Sequence, residues 1–452
     1  MYRFRSIENL IGEYQELERQ QIYFADIEQL NDPMEGKRRY FFQGDRIVWK
    51  NLLKNYLLCL ERSILLTKLM SDNETFSKDD IPIFISEENL PTKEYEERIK
   101  EIKILFFSDE RVQSFLNFID NHRSMIYVDE LQVHLKLLHH LAIDIINRMD
   151  GLQDVNPTSN NLYKVWDELY DKLEVENAYD VIIQVTSEML REVDFHSMIK
   201  LKDSPKMQSI YFEFPRMYLD SITKLTYPKS YVACFMDNCE NSSIWGTYGN
   251  SHTGVCLKFK IGESTSPKLS LKTAVSYGGN GYYYDYRDHV LKPIDYTTQV
   301  DEIDFFRNLG RLTHNQIWKQ WYTDENGNES VCSGDTVHQM DEWITRHWGM
   351  YAGAFLKKTV EWSQEREYRI ILTSVLDFFE ESSNRLLEYK FEDLEGIIFG
   401  VRTPYNARIQ IIEIIRRKCI ESGRKEFDFY EMYISTNKEL NQRKMPILIT
   451  EE

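Results

Sequence analysis

Trp362 to Leu372 reads WSQEREYRIIL, and charged residues alternate with apolar ones along it. Successive side chains of a β-strand point to opposite faces, so this alternation predicts a strand. One predicted face carries Glu365, Glu367, Arg369 and Ile371, and the other carries Tyr368, Ile370 and Leu372. Two carboxylates and a guanidinium beside a tryptophan indicate either an ion-paired sheet face or a site for a polar, partly cationic ligand.

Strand patterns occur on both sides of a long helical region. Strands are predicted near the start of the chain, at Tyr2–Ser6 and Ile22–Ala25, and again from Ser230 onwards, whereas residues 45–229 have helical periodicity. The pattern therefore predicts an α+β protein with an antiparallel or mixed β core from residues 1–44 and 230–452, interrupted by an all-helical insertion domain at 45–229. We expect the strand at residues 2–6 to share a sheet or sandwich with the strand at 367–372.

Two further segments carry candidate ligand-binding residues. Asn31, Asp32 and Pro33 form a predicted turn whose side chains hydrogen-bond the local backbone. A Gly-rich loop between two predicted strands contains Trp245, Tyr248 and His252. Aromatic and polar residues on such a loop are typical of a binding site, although a surface loop held by a packed tryptophan has the same pattern.

Composition excludes several classes of function. The chain has 452 residues, with 73 acidic against 55 basic side chains and a formal net charge of -18, which opposes extended nucleic-acid binding. It has no apolar run of membrane-spanning length and no signal core, so we expect a cytoplasmic protein. The six cysteines are scattered and the histidines lack ligand spacing, so we expect free, mostly buried thiols and no metal site.

The assembled segments resemble a bacterial family, domain of unknown function 2971. The resemblance covers about residues 1–36 and 230–435. Its most specific parts are the Asn-Asp-Pro turn, a W-x-x-Y loop ending in His-x-Gly-Val, and a W-x-x-E-x-E-x-R strand. Here these parts are Asn31, Asp32, Pro33, Trp245, Tyr248, His252, Gly254, Trp362, Glu365, Glu367 and Arg369. Residues 45–229 depart from the family pattern.

A weaker resemblance of layout points to ADP-ribosyltransferases, which cleave NAD. It consists of a basic residue on the first strand, a helix, an Ile-Tyr-Phe-Ala strand and a late strand with a glutamate before an aromatic residue. The resemblance implies NAD as co-substrate, with Glu367 or Glu365 stabilising the cationic ribose and Arg5 binding the diphosphate or ribose. Tyr23, Trp245 or Tyr248 would stack on a base.

Three hypotheses follow for function. The first is an NAD-consuming transferase or glycohydrolase that serves as a bacterial toxin or anti-phage effector, with residues 45–229 binding a macromolecular target or trigger. The second is a non-enzymatic sensor or binding module in which Glu365, Glu367, Arg369 and Arg5 tie the sheet together. The third, a magnesium-dependent nuclease, lacks a carboxylate cluster in the sequence.

Overall fold

The structure is a computed structural model that describes residues 1–71, 74–151, 161–170, 172, 177–200, 204–261, 266–279, 281–334, 336, 339–374 and 378–449. The protein is a mixed α+β protein with mixed sheets and a long helical region in its N-terminal part. This architecture confirms the fold class predicted from the periodicity.

The strands are short, apart from one long hairpin. In chain order they are β1 (Tyr2–Arg5), β2 (Gln21–Tyr23), β3 (Ala25–Asp26), β4 (Arg39–Phe42), β5 (Ile126–Tyr127), β6 (Ser230–Met236), β7 (Val255–Phe259), β8 (Lys268–Gly278), β9 (Gly281–Val290), β10 (Lys292–Pro293), β11 (Asp295–Tyr296), β12 (Glu302–Asp304), β13 (Lys357–Lys358), β14 (Glu367–Thr373), β15 (Leu386–Tyr389), β16 (Leu394–Phe399), β17 (Asp428–Ile434) and β18 (Leu440–Lys444).

Most of the long helices lie between β4 and β6 in the chain. The α-helices are α1 (Ile7–Ile11), α2 (Glu16–Arg19), α3 (Arg46–Leu69), α4 (Lys93–Ser108), α5 (Glu110–His122), α6 (Val128–Met149), α7 (Leu162–Tyr170), α8 (Ala178–Lys200), α9 (Pro205–Gln208), α10 (Phe214–Ile222), α11 (Ser242–Thr247), α12 (His314–Ile317), α13 (Met340–Ala354) and α14 (Tyr405–Ser422).

The largest sheet has nine strands and includes the strand that ends the quoted stretch. Its order is β10-β14-β6-β1-β7-β16-β17-β18, and β3 also pairs with β6. β16 and β17 run parallel, whereas the other neighbours run antiparallel. Because β1 and β14 lie in this one sheet, the prediction that residues 2–6 and 367–372 share a sheet is confirmed.

The quoted stretch is a strand only from Glu367 onwards. Val360–Glu365 forms a 3₁₀ helix, and Arg366 ends it in the left-handed conformation with a φ of 50°. The prediction of a strand from Trp362 was therefore wrong in its first half, because alternation over so few residues also suits a short helical turn. Within β14, Ile370 and Leu372 share one face, as predicted, and this face packs into the apolar core.

The nine-stranded sheet splits beside β1. Tyr2 pairs with Met236 of β6, but further along β6 the neighbouring strand is β3. The Arg3 guanidinium occupies the opening, donating from Nη1 to the Cys234 carbonyl (3.1 Å) and from Nη2 to the Tyr23 carbonyl (2.9 Å). Buried carbonyls left without a donor cost roughly 1–3 kcal/mol each, so Arg3 stabilises the split.

A second, antiparallel sheet has the order β2-β15-β8-β9. Apolar side chains of this sheet, of the nine-stranded sheet and of α14 form one buried cluster, which includes Leu271, Leu387, Ile370 and Ile411. This cluster fixes the two sheets and α14 as one packed body.

The helical part of the chain has its own core. α3 is buried on several sides, from Val48 to Ile64, and its first turn is capped by Asp45, whose side chain accepts from the Ile47 and Val48 N–H groups. Buried residues of α3, α4, α5, α6 and α10 belong to one cluster together with Phe305 and Trp321.

The chain divides into two compact units. Unit 1 comprises residues 1–37, 229–299 and 352–452, and unit 2 comprises residues 38–228 and 300–351. The segment 300–351 thus packs with the helices, whereas the sequence pattern assigned it to the β-rich domain. That residues 45–229 form a separate, excisable domain stays a prediction.

The structure bears on two predictions made from composition, the state of the cysteines and the membrane-spanning segments. All six cysteines are free, and all except Cys234 are fully buried, which confirms the predicted thiols. Among the residues that the structure describes, no helix is long and apolar enough to span a membrane.

Candidate functional site

Five charged side chains of unit 1 form a buried cluster, which we call the charge cluster. Its members are Glu35, Lys358, Glu365, Glu367 and Arg369, and each is at most 6% exposed. Three carboxylates face two cations there, and burial of this many charges requires close pairing among them.

Lys358 connects the carboxylates. Its Nζ donates to Oε2 of Glu365 at 2.7 Å and to Oε2 of Glu367 at 3.2 Å, and it lies 4.0 Å from Oε2 of Glu35. The same ammonium lies 4.6 Å from the centre of the Trp362 ring, within cation–π range. Lys358 is therefore the counter-ion that Glu365, at the end of the 3₁₀ helix, and Glu367, at the start of β14, share.

Arg369 holds the other side of the cluster. Its Nε and Nη2 donate to Oε1 and Oε2 of Glu367 at 2.6 and 3.0 Å, which is a bidentate pair. Nη1 donates to the Phe355 carbonyl at 3.0 Å, and Nη2 also contacts Glu35. Both oxygens of Glu367 are thus bound by cations.

Burial and pairing act in opposite directions on the pKa values of the cluster. Burial raises the pKa of Glu367 to about 7, although Lys358 opposes this shift. Burial would lower the pKa of Lys358, but Glu367, Tyr248 and Glu365 raise it above its ordinary value. Burial lowers the pKa of Arg369 to about 9, so both cations remain charged at neutral pH.

The Asn-Asp-Pro turn positions Glu35. Oδ1 of Asp32 accepts from the Met34 N–H at 2.9 Å, and the Asp32 carbonyl accepts from the Glu35 N–H at 3.1 Å. Gly36 then leaves the turn with a φ of +66°, and a Cβ there would lie 2.8 Å from Cγ2 of Ile27. The predicted turn chemistry is confirmed for Asp32, and its consequence is a third carboxylate in the charge cluster.

An open cleft of about 210 Å³ lies at the split between β1 and β6. Its lining is a mixture of cations, carboxylates and tyrosines. The lining residues are Tyr2, Arg3, Phe4, Arg5, Tyr23, Ala25, Gln29, Leu30, Asn31, Glu35, Val232, Cys234, Met236, Tyr248, Lys358, Glu367 and Arg369. Of the predicted site residues, the cleft therefore brings together Arg5, Tyr23, Asn31, Tyr248, Glu367 and Arg369.

The two arginines of β1 differ in their partners. Arg5 forms a bidentate pair with Glu16, with Nε 2.7 Å from Oε2, so its carboxylate partner is Glu16 rather than Glu365 or Glu367, with which the binding-module hypothesis grouped it. Arg3 is 7% exposed and donates to main-chain carbonyls, and it has no carboxylate in salt-bridge contact among the described residues. Burial lowers the pKa of Arg3 to about 10, so it remains a cation.

Several predicted site residues do not line the cleft. Glu365 and Asp32 are buried and are not part of the lining, and Oε1 of Glu365 accepts from the hydroxyl of the lining residue Tyr248 at 2.7 Å. Trp362 is half-buried against Lys358.

The remaining two predicted site residues, Trp245 and His252, have contacts within the fold and do not line the cleft. Trp245 is fully buried in α11, where its Nε1 donates to the Cys239 carbonyl at 2.7 Å. His252 has a φ of 68°, and its carbonyl accepts from the Arg402 N–H. The burial of Trp245 agrees with the second interpretation of this segment, a packed tryptophan, and the structure differs from the predicted loop in that its first part is a helix.

Sequence patterns missed Lys358, Glu35 and Glu16. Lys358 occupies a two-residue strand, β13, which is too short for a detectable alternation. Glu35 lies two residues after the Asn-Asp-Pro turn, and this position just beyond a turn is the feature of the sequence that marks it. Glu16 begins the four-residue helix α2 between two left-handed residues, Gln15 and Gln20, and no local pattern in the sequence marks this short helix.

Comparison with known proteins gives one match. A family model described as Protein of unknown function (DUF2971) matches residues 244–370, less than half of the chain. Neither curated proteins nor solved structures match the chain. The resemblance to ADP-ribosyltransferases therefore has no support, and the wider resemblance at residues 1–36 and beyond 370 stays a prediction. The matched segment contains Tyr248, Lys358, Glu365, Glu367 and Arg369. The match shows that the chain carries a DUF2971 domain at residues 244–370.

Proposed function

We propose that unit 1 is a ligand-binding module whose cleft takes a small, phosphate-bearing compound with an aromatic ring, of the nucleotide class that includes NAD. This proposal rests on one observation: Arg3 is a buried cation that lines an open cleft. Among the described residues, no carboxylate is in salt-bridge contact with its guanidinium. An anionic group of a ligand would supply the missing negative charge through a charge-assisted hydrogen bond.

The other groups of the lining support the same class. Tyr2, Tyr23 and Tyr248 offer rings for stacking on a base, and Asn31 and Gln29 offer amides for ribose hydroxyls. The cavity of about 210 Å³ is smaller than the roughly 300–1,000 Å³ of typical ligand pockets. We therefore expect it to enclose one nucleotide moiety, with any second moiety outside.

Replacing Arg3 by glutamine tests the anion site. The amide retains donors for the Cys234 and Tyr23 carbonyls but removes the charge, so we expect binding of AMP and NAD to weaken about 10–100-fold, as for loss of a charged hydrogen bond. Binding of adenosine, which lacks phosphate, should change little. Isothermal calorimetry on both ligand classes measures this difference.

The matched control is Arg443→Gln, because Arg443 is exposed and pairs with Glu431 away from the cleft lining. It should bind all three compounds like the wild type. Equal affinity of the wild type for AMP and adenosine, or unchanged AMP binding in Arg3→Gln, would refute an anion site at Arg3.

NAD cleavage is a second candidate, favoured by one observation. Glu367 lines the cleft and burial raises its pKa to about 7, which suits a general acid or base at neutral pH. However, both of its oxygens are bound by Arg369 and Lys358, which weakens the negative field that a cationic ribose requires. We therefore rank binding ahead of cleavage.

Nicotinamide release from NAD decides between the two candidates. If the cleft is catalytic, Glu367→Gln should abolish release while circular dichroism shows a folded protein. Release that persists in both Glu365→Gln and Glu367→Gln would eliminate catalysis by these carboxylates. A role as a toxin or defence effector, with a target bound through residues 45–229, stays a prediction from the resemblance.

A further inference from the structure

β8 and β9 form a long antiparallel hairpin, which we call the tyrosine hairpin (Lys268–Val290). Its outer half is exposed on both faces. The exposed large side chains are Val275, Tyr277, Tyr282, Tyr283, Tyr284 and Val290, which are 38–75% exposed. Clustered exposed tyrosines are typical of protein interfaces, because they bury a large area at low conformational-entropy cost.

β9 is also an edge strand. It ends the order β2-β15-β8-β9, and no described strand pairs with its second edge. The Tyr286 N–H donates to Oδ1 of the preceding Asp285 at 2.8 Å, so this main-chain donor faces an exposed side chain. An unpaired edge of this length is a template for another strand.

The charges of β9 are self-complementary. If two β9 strands run antiparallel with Tyr286 opposite Tyr286, then Asp285 of each strand lies opposite Arg287 of the other. The same register places Tyr282 opposite Val290, an aromatic and β-branched pair that stabilises sheets. A two-fold axis through Tyr286 thus satisfies charge and packing on both strands at once.

We infer that β9 pairs with β9 of a second copy of this chain, so that two four-stranded sheets join into one eight-stranded sheet. Main-chain hydrogen bonds supply the association, and the Asp285–Arg287 pairs fix the register. The self-complementary charge pattern favours a second copy over a strand of a different protein.

Charge reversal tests the pairing by sedimentation velocity. Asp285 and Arg287 are about 60% exposed and pair with each other at 3.5 Å within the strand, so reversing either should leave the fold intact, which circular dichroism verifies. In the proposed register, Asp285→Arg places an arginine opposite an arginine at both the 285–287 pairs of the dimer. Arg287→Asp likewise places an aspartate opposite an aspartate at both pairs. We expect each variant to dimerise at least about tenfold more weakly than the wild type.

Two experiments that restore the charge complementarity between residues 285 and 287 should also restore the dimer. The double variant Asp285→Arg/Arg287→Asp should dimerise like the wild type, and an equimolar mixture of the two single variants should form a heterodimer. A monomeric wild type at 100 μM would overturn the inference, as would single variants that dimerise like the wild type. Failure of both rescues would exclude the register centred on Tyr286.

Discussion

Replacing Lys358 by methionine should lower the free energy of unfolding by about 3–5 kcal/mol, the usual cost of removing one partner from a buried ion pair. The side chain is 2% exposed and is shared by Glu365 and Glu367. Without it, three buried carboxylates face Arg369 alone. Urea denaturation at neutral pH measures the loss.

A second substitution distinguishes lost charge balance from lost packing. In Lys358→Met/Glu365→Gln the cluster returns to its wild-type excess of one carboxylate over the cations, so we expect part of the lost stability to return and the two changes to be coupled. Lys272→Met, which removes an exposed lysine paired with Glu388 at 3.3 Å, serves as control and should cost less than about 1 kcal/mol. Strictly additive effects of the two cluster changes would contradict the shared counter-ion.

Replacing Glu367 by glutamine should change how stability depends on pH. Burial raises the pKa of Glu367 from an ordinary value of 4.5 to about 7, so between these values the folded protein retains a proton that the unfolded chain releases. This group therefore stabilises the fold as pH falls from 7 towards 4.5, and its ionisation costs stability above pH 7. At 1.36 kcal/mol per pKa unit, the whole effect is about 3 kcal/mol.

The measurement is the difference between wild type and Glu367→Gln in unfolding free energy from pH 8 to pH 4.5. Subtracting the unfolding free energy of the variant from that of the wild type at each pH removes the contribution of the titrating groups that both proteins share. The wild type should gain about 3 kcal/mol relative to the variant across this range, and Glu367→Asp should retain a slope because it retains a carboxylate. Parallel curves for wild type and Glu367→Gln would mean that Glu367 does not take up a proton in this range.

Periodicity predicted those parts of the fold in which one face packs into an apolar core. Ile370 and Leu372 lie two residues apart because one side of β14 packs into the apolar core while the other side carries the charge cluster, and that spacing is visible in neighbouring residues. The Asn-Asp-Pro turn was also predictable, since its hydrogen bonds join adjacent residues.

The candidate site was only partly predictable, because its contacts join residues distant in sequence. Nothing near Lys358 shows that it meets Glu35, and nothing near Arg5 shows that Glu16 binds it. The sequence left two roles open for Trp245, because core tryptophans and ligand-stacking tryptophans have the same local sequence and only burial distinguishes them.

The position of β1 inside the nine-stranded sheet affects the order in which this protein folds. Its partners, β6 and β7, begin at Ser230 and Val255, so during synthesis β1 has no sheet to join until those segments have left the ribosome. Pairing over such separations closes long loops and slows folding. We therefore expect the cleft to form late, after the synthesis of β14 has provided Glu367 and Arg369.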